Sequence, residues 1–307
     1  MDKCIEVKDL TKIFEARKVV DQLSFDVNVG EVYGILGHNG AGKTTTIESI
    51  LGLNQPDCGY ALIFGKNARK ERKTLFERIG VQLQVSYYQD NIKVIEVCEE
   101  IAALYQNPAD YHQLLHQFQL DTFQNQYVDQ LSGGEKQKLS LVVALIPQPE
   151  IIFLDELTTG LDVVARREVW NILKNLKEKG MTIVLTTHYM EEVEQLCHEI
   201  VIMDKGYVIA RGTNDELKNK ISLGEKITIV LNQKEEELIS LLKADQQVIS
   251  IQEENLTLHI AYRGKGNHLA DLIDVLRESN IQYQTLFSER PTLNDVFLEL
   301  TGKQLRD

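Results

Sequence analysis

Cysteine is sparse and scattered in this sequence. Cys4, Cys58, Cys98 and Cys197 form no CxxC pair and no cluster with neighbouring histidines. That spacing excludes a zinc ribbon or a disulfide scaffold and suits reduced, structural thiols in a cytoplasmic protein. A chain of 307 residues buries a full core without such staples. Long apolar runs are also missing. No stretch approaches ~18 continuous apolar residues, so no spanning helix is expected. The N-terminal region has no basic head followed by an apolar core, so no signal peptide is expected either. Any membrane role has to come through a partner. Positive charge is the third shortage: 33 Lys and Arg stand against 46 Asp and Glu, a net charge of -13. Nucleic-acid binders carry a basic footprint, so no nucleic-acid partner is expected.

What is present is an alternation of strand and helix patterns. CIEVKDLTKIF and VVDQLSFDVNVG read as strands, and EVYGILGHNGAGKTTTIESILGL runs from an apolar strand through glycines into a helix. YALIFGK suggests a short strand. Helical patterns follow from Val94 to Tyr105 and from Tyr111 to Phe118. LSGGEKQKLSLVVALIPQPE is a helix that must stop near Pro147 and Pro149. IIFLDE and MTIVLTTH read as strands buried on both faces, with the amphipathic helix VVARREVWNILKNLKEK between them. EEVEQLCHEI is expected to be a helix, and IVIMDKGYVIARG a hairpin turning near Lys205 and Gly206. Such alternation predicts an α/β core.

Composition shifts near residue 220. Beyond it KITIVLN, KEEELISLLK, QVISI, NLTLHIAY, HLADLIDVLRES and IQYQTLF read as strand, helix, strand, strand, helix, strand. That βαββαβ order predicts a split βαβ sandwich. A last helix, PTLNDVFLELTG, begins at Pro291 and stops near Gly302. The expected division is therefore 1–219 and 220–307, the second a small α+β domain.

GHNGAGKT matches the GxxxxGK[ST] pattern in full and lies between a predicted strand and a predicted helix, the context the pattern needs. Backbone N–H groups of Gly37, His38, Asn39, Gly40, Ala41 and Gly42 would curl around phosphates, and the helix N-terminus adds its dipole. Lys43 would reach the β and γ phosphates, Thr44 would ligate Mg2+, and Thr45 follows on the same turn. Asp155, ending a buried strand, could hold the Mg2+ from the opposite side. Glu156 could polarise a water toward the γ phosphate. Two acids after an apolar strand can also be a plain strand-to-loop transition. His188 ends its strand as Asp155 does, so both emerge at one sheet edge if the strands are parallel neighbours, where an imidazole can donate to the γ phosphate. His112 and His116 have one-turn metal spacing but no companion acids, and read as a solvated helix face.

Taken in order, GHNGAGKTT at 37 to 45, Gln84 after RIGVQL, LSGGEKQKL at 131 to 139, IIFLDE at 151 to 156, TGLD at 159 to 162 and TTH at 186 to 188 resemble the ATP-binding subunit of an ATP-binding cassette (ABC) transporter. The resemblance covers residues 4 to about 215. It implies a P-loop NTPase-type cassette with a core sheet, an antiparallel β subdomain and a helical subdomain at about 86–150. It also implies the cofactors ATP and Mg2+. In that family two cassettes meet head to tail, and a helix start such as Ser132, Gly133 and Gly134 caps the γ phosphate of ATP bound to the other cassette. Glu156 would then position water, Asp162 would join the two sites, and Gln84 would contact metal or water. The segment SYYQDNIKVIEV and the helices after it would form a groove for the membrane subunit. Phe14 matches the aromatic that stacks on adenine, or is an ordinary core residue of its strand. Trp170 reads as core.

Two positions depart from the family wording. Glu135 stands where glutamine is usual and sets a negative charge near a phosphate region, while Leu157 replaces a proline and gives up some loop stiffness. PTLNDVFLELTG resembles the close of cassettes that serve multidrug or sodium exporters with a separate ABC-2-type permease. The implied protein is a cassette homodimer, or a heterodimer, at the cytoplasmic face of the membrane. The alternative is a soluble regulatory or ribosome-associated cassette. A chromosome-organising cassette is disfavoured, because no sustained heptads separate Thr44 from Ser132.

Overall fold

The computed structural model describes residues 2–84, 87–264 and 266–302. Ser86, the expected start of the helical subdomain, and residues 303–307 lie outside them. The chain divides into two compact units, one running to Thr213 and the other beginning at Asn214.

The first unit holds two sheets. β1 (Lys3–Phe14) and β2 (Arg17–Asn28) form a long hairpin, and β4 (Cys58–Ile63) adds to the free edge of β1, giving an antiparallel order β2-β1-β4. Its inward faces, with Ile5, Val7, Leu10, Leu23 and Phe25, join the core. The larger sheet is built from β3 (Val32–Gly37), β5 (Ile79–Gln82), β6 (Ile151–Asp155), β7 (Thr182–Thr187), β8 (Glu199–Asp204) and β9 (Tyr207–Gly212), in the order β5-β6-β7-β3-β8-β9. All pairings are parallel except β8 with β9.

Every residue of β3, β6 and β7 is buried. Their apolar runs are continuous because both sheet faces are covered, which is the requirement of a parallel sheet. The helices of this unit are α1 (Lys43–Ile50), α2 (Arg72–Phe76), α3 (Val94–Ala102), α4 (Tyr111–Gln117), α5 (Gly133–Leu145), α6 (Val163–Glu178) and α7 (Met190–Leu196); α1, α2, α5 and α7 pack on strands of the sheet, while α3 and α4 pack on α5. α5 ends at Leu145, with Ile146 as its C-cap and Pro147 next, as a ring without an N–H dictates. The C-terminal ends of β3, β6 and β7 meet at one edge, with Leu36 opposite Thr187 and Asp155 opposite Thr186.

The expected helix over EEVEQLCHEI is cut short. α7 stops at Leu196, Cys197 is extended, and the chain enters β8 at Glu199. Pairing with β3 overrides the helical pattern: His198 N–H donates to Val32 O at 2.8 Å, and Val32 N–H donates to His198 Nδ1 at 3.0 Å. The β8–β9 turn falls where expected. Lys205 and Gly206 both have positive φ, 50° and 89°, as a two-residue hairpin with right-handed strand twist needs. His112 and His116 are exposed on α4, and no group of three metal-type ligands exists among the described residues.

The second unit opens with α8 (Asn214–Lys218), followed by β10 (Leu223–Leu231), α9 (Glu236–Ala244), β11 (Val248–Glu254), β12 (Thr257–Arg263), α10 (His268–Glu278) and β13 (Tyr283–Glu289). The antiparallel order β11-β12-β10-β13 sets the first and third strands side by side, the arrangement of a split βαβ sandwich. Ile227, Ile229, Leu258 and Ile260 of the sheet pack against Leu238, Leu242, Leu272 and Leu276 of the helices. α11 (Leu293–Thr301) starts after Thr292, which forms a capping box with Asp295, and Gly302 closes it at φ 67°. No helix among the described residues is long and apolar enough to cross a membrane.

Candidate active site

The edge where β3, β6 and β7 end carries a loop, Gly37 to Gly42, that feeds α1. The close approach of neighbouring backbone explains two of its glycines. A Cβ on Gly37 would lie 2.6 Å from Met203 O, and one on Gly42, at φ 102°, would lie 2.4 Å from Val19 O. α1 has no side-chain cap, so its first N–H groups face a cavity of about 230 Å3. Asn39, Gly40, Gly42, Lys43, Thr44, Thr45, Gln84 and Glu156 line that cavity together with Val19. His38 is used differently. Its ring nitrogens sit 2.6 Å from Asn39 O and 2.6 Å from Asp204 Oδ1, bracing the loop against the end of β8, while Ala41 O accepts Gly206 N–H.

The ionisable groups converge on Glu156. It follows β6 in the left-handed region, φ 50°, a strained setting for a residue with a side chain. Its N–H is held by Thr186 O and Thr186 Oγ1, each at 3.1 Å. Its carboxylate meets Lys43 Nζ at 2.9 Å, and both side chains are almost wholly buried. Lys43 also donates to Gly37 O at 2.8 Å and His38 O at 3.2 Å. Gln84 and Thr159 donate to the other carboxylate oxygen at 3.4 and 3.3 Å. His188 Nδ1 lies 3.7 Å from that oxygen, beyond hydrogen-bond length. The structure therefore brings together Lys43, Gln84, Glu156 and His188.

Asp155 is fully buried, and burial pushes its carboxyl up against the opposing hydrogen bonds of Thr186 and Thr44. Among the described residues its Oδ2 has no hydrogen-bond partner. A buried carboxylate oxygen without a partner, on a carboxyl that the Thr44 hydroxyl also approaches, fits a hard divalent cation, which takes oxygen ligands.

Ser132 caps α5 and is exposed. Neither it nor Gly133 or Gly134 lines the cavity at the start of α1. The negative charge of Glu135 is turned back: its carboxylate accepts Ser132 N–H at 2.7 Å while Ser132 Oγ accepts Glu135 N–H at 3.3 Å. Glutamic acid at that position is a capping-box partner. Gly134 packs near the start of α6, where an added Cβ would stand 3.2 Å from Ala165. Asp162 caps α6, accepting from Val164 and Ala165 N–H at 2.8 and 2.9 Å. Phe14, at the end of β1, is 43% exposed with Lys12 Nζ 5.0 Å from its ring centre, so it is not a core residue. Trp170 is buried as expected, and Leu157 is buried too.

Sequence reasoning missed Glu192. It sits on α7 at 3% exposure, and a charged residue in a helix is ordinarily read as solvated. Val193 and Leu196 beside it mark the buried face, the only signal available in the sequence.

Comparison with known proteins bears on the whole chain. Residues 20–159 match the ABC transporter family, and residues 212–301 match the C-terminal domain of DrrA1-3-like ATP-binding proteins. The daunorubicin resistance ATP-binding protein DrrA3 of Streptomyces coeruleorubidus is 34% identical over 99% of this chain and 98% of its own length. The Nod factor export ATP-binding protein I of Cupriavidus metallidurans is 32% identical, with 100% of both chains covered. A solved structure of the ATP-binding subunit of an ABC transporter superposes with a TM-score of 0.64 at 30% identity, over 71% of this chain and 92% of that one.

Proposed function

The chain belongs to the ATP-binding subunits of ABC transporters, and from that premise we propose that it hydrolyses ATP to power export through a separate ABC-2-type membrane permease. Two cassettes close head to tail around ATP and open after hydrolysis. The observation that carries the hydrolytic reading is the placement of Glu156. A buried carboxylate lies on the phosphate cavity, against Lys43 and within reach of Gln84 and His188.

The residues divide the work by position. The loop N–H groups and the start of α1 receive the phosphates. Lys43 neutralises phosphate charge, and in doing so exchanges its Glu156 partner for phosphate oxygen. Glu156 is then free to accept the proton of the attacking water, a role its cavity-facing position supports. Gln84 orients that water, and His188 donates to the terminal phosphate. Asp155, Thr44 and Gln84 would hold Mg2+, which when bound neutralises developing phosphate charge. Ser132 and Gly133, both exposed, and the half-buried Gly134 present an N-terminal helix end to the nucleotide of a second cassette, with Asp162 nearby at the start of α6 and Phe14 open to stack on adenine. A homodimer follows from one chain carrying both halves of such a composite site. Export, rather than import, is supported by the match over 212–301 and by what the relatives' names say of them. The protein would then sit at the cytoplasmic face of the membrane, bound to its permease.

Glu156→Gln tests the chemistry. ATP binding should persist with a trapped closed dimer, and turnover should fall about 10²- to 10⁴-fold, the size of a general-base contribution. Unchanged turnover would remove Glu156 from the base role. The partner is tested by gentle solubilisation of membranes and mass spectrometry of what copurifies with the tagged protein. A stoichiometric multi-helix membrane protein is expected, and ribosomes in its place would overturn the transport reading.

A further inference from the structure

The loop after Glu156 and the segment carrying His188 come from different strands, and a single buried carboxyl joins them. Glu192 Oε1 accepts from Thr158 Oγ1 at 2.9 Å and from Trp170 Nε1 at 2.9 Å. Thr187, which ends β7 beside His188, hydrogen-bonds the same carboxyl. Thr158 lies two residues past Glu156, and Trp170 lies on α6, the helix capped by Asp162. Thr158, Thr187 and Glu192 are all buried. Around this node Arg166 makes a second bridge, donating to Leu161 O at 3.3 Å and lying 3.8 Å over the Tyr189 ring. Tyr189 N–H in turn donates to Thr187 Oγ1 at 2.9 Å.

We infer that Glu192 is a positioning residue for ATP hydrolysis, fixing the Glu156 and His188 segments relative to each other through its hydrogen bonds to Thr158, Thr187 and Trp170. This rests on the hydrolytic reading above.

A purely structural role would be met better by an apolar side chain. Burying a carboxyl is unfavourable unless its oxygens are bonded, and burial here pushes the group up from its ordinary value. Leucine would fill the same space on α7 without that penalty. What the carboxyl adds is direction: bonds to donors on the loop after β6, on α6 and at the end of β7. Satisfied buried networks of this kind restrict their members to one geometry. Hydrolysis requires Glu156 and His188 to meet one water and one phosphate, and small misplacement of reacting groups lowers rate steeply.

The test uses the full chain with Mg-ATP and compares wild type, Glu156→Gln, Glu192→Leu and Glu192→Gln. Glu192→Leu should lower kcat about 10- to 100-fold with KM for ATP nearly unchanged. Glu192→Gln, which keeps the accepting oxygen, should restore kcat to near the wild-type value. Loss of kcat in Glu192→Gln as deep as in Glu192→Leu, or wild-type kcat in Glu192→Leu, overturns the inference while leaving the hydrolytic reading intact. A wild-type protein without Glu156-dependent turnover overturns both. Should Glu192→Leu not fold, Thr158→Val removes one donor and keeps shape. It should lower kcat in the same direction with KM unmoved, and an unaltered kcat there overturns the inference.

Discussion

The Lys43–Glu156 pair makes a quantitative demand on the stability of the fold. Nζ and Oε1 are 2.9 Å apart, with side-chain exposures of 3% and 6%. Lys43→Met leaves the carboxylate with Gln84 and Thr159, whose bonds are long at 3.4 and 3.3 Å. Orphaning one partner of a buried pair destabilises by about 3–5 kcal/mol. The adjoining cavity admits water, which solvates the bared carboxylate, so the expected loss is about 2–4 kcal/mol. Glu156→Gln is milder, because the amide oxygen still accepts from Lys43, which also keeps Gly37 O and His38 O; about 1 kcal/mol is expected. The double variant should therefore be more stable than the sum of the two, by a coupling of about 1–3 kcal/mol, since it lacks the orphaned charge. Urea unfolding without nucleotide or Mg2+ measures this, followed by the fluorescence of Trp170, the single tryptophan, buried on α6 of the same unit. Additivity within about 0.5 kcal/mol would refute the argument that these two side chains hold each other.

Other outcomes follow from the same geometry. Phe14→Ala should leave stability nearly unchanged, because the ring is exposed, but weaken ATP binding roughly 5- to 100-fold through lost stacking of about 1–3 kcal/mol. Nucleotide titration checks it, and unaltered affinity would make Phe14 an ordinary strand residue. Glu135→Ala should destabilise α5 by about 1 kcal/mol in thermal unfolding, whereas Glu135→Gln should be near neutral, because a glutamine still accepts Ser132 N–H. Glu192 predicts a pH slope with a definite sign. Its folded-state value is raised above 4.5, so the stability that it contributes is fully present below the ordinary glutamate value and is lost as pH rises through the folded-state value. Urea midpoints measured from about pH 5 to 9 should therefore fall less steeply in Glu192→Gln than in wild type; equal slopes would show that Glu192 carries no such shift.

The parts of the site that are contiguous in the chain were legible from residue order. A phosphate loop must be short and glycine-rich because successive N–H groups have to face one anion, so GHNGAGKT declares itself wherever it lies between strand and helix. The same holds for IIFLDE and MTIVLTTH, whose unbroken apolar runs announce strands covered on both faces. Hairpin chemistry at Lys205 and Gly206, and the proline stop after α5, are likewise local. The error over EEVEQLCHEI arose where a local helical pattern competed with a ladder to β3, a strand far away in the chain.

What the amino-acid order determined by itself was thus the set of motifs, the α/β class and the βαββαβ succession after residue 220, since each depends on neighbours within a few residues. Pairings between distant side chains were decided only by tertiary structure. The order β6-β7-β3 brings Glu156 onto Lys43 and His188 toward Glu156, and the packing of α6 against α7 buries Glu192 beneath Thr158 and Trp170. Nor could sequence say whether Glu135 faced outward or back. A carboxylate next to a helix start can do either, and only the closed geometry of the α5 cap turns it onto Ser132 N–H.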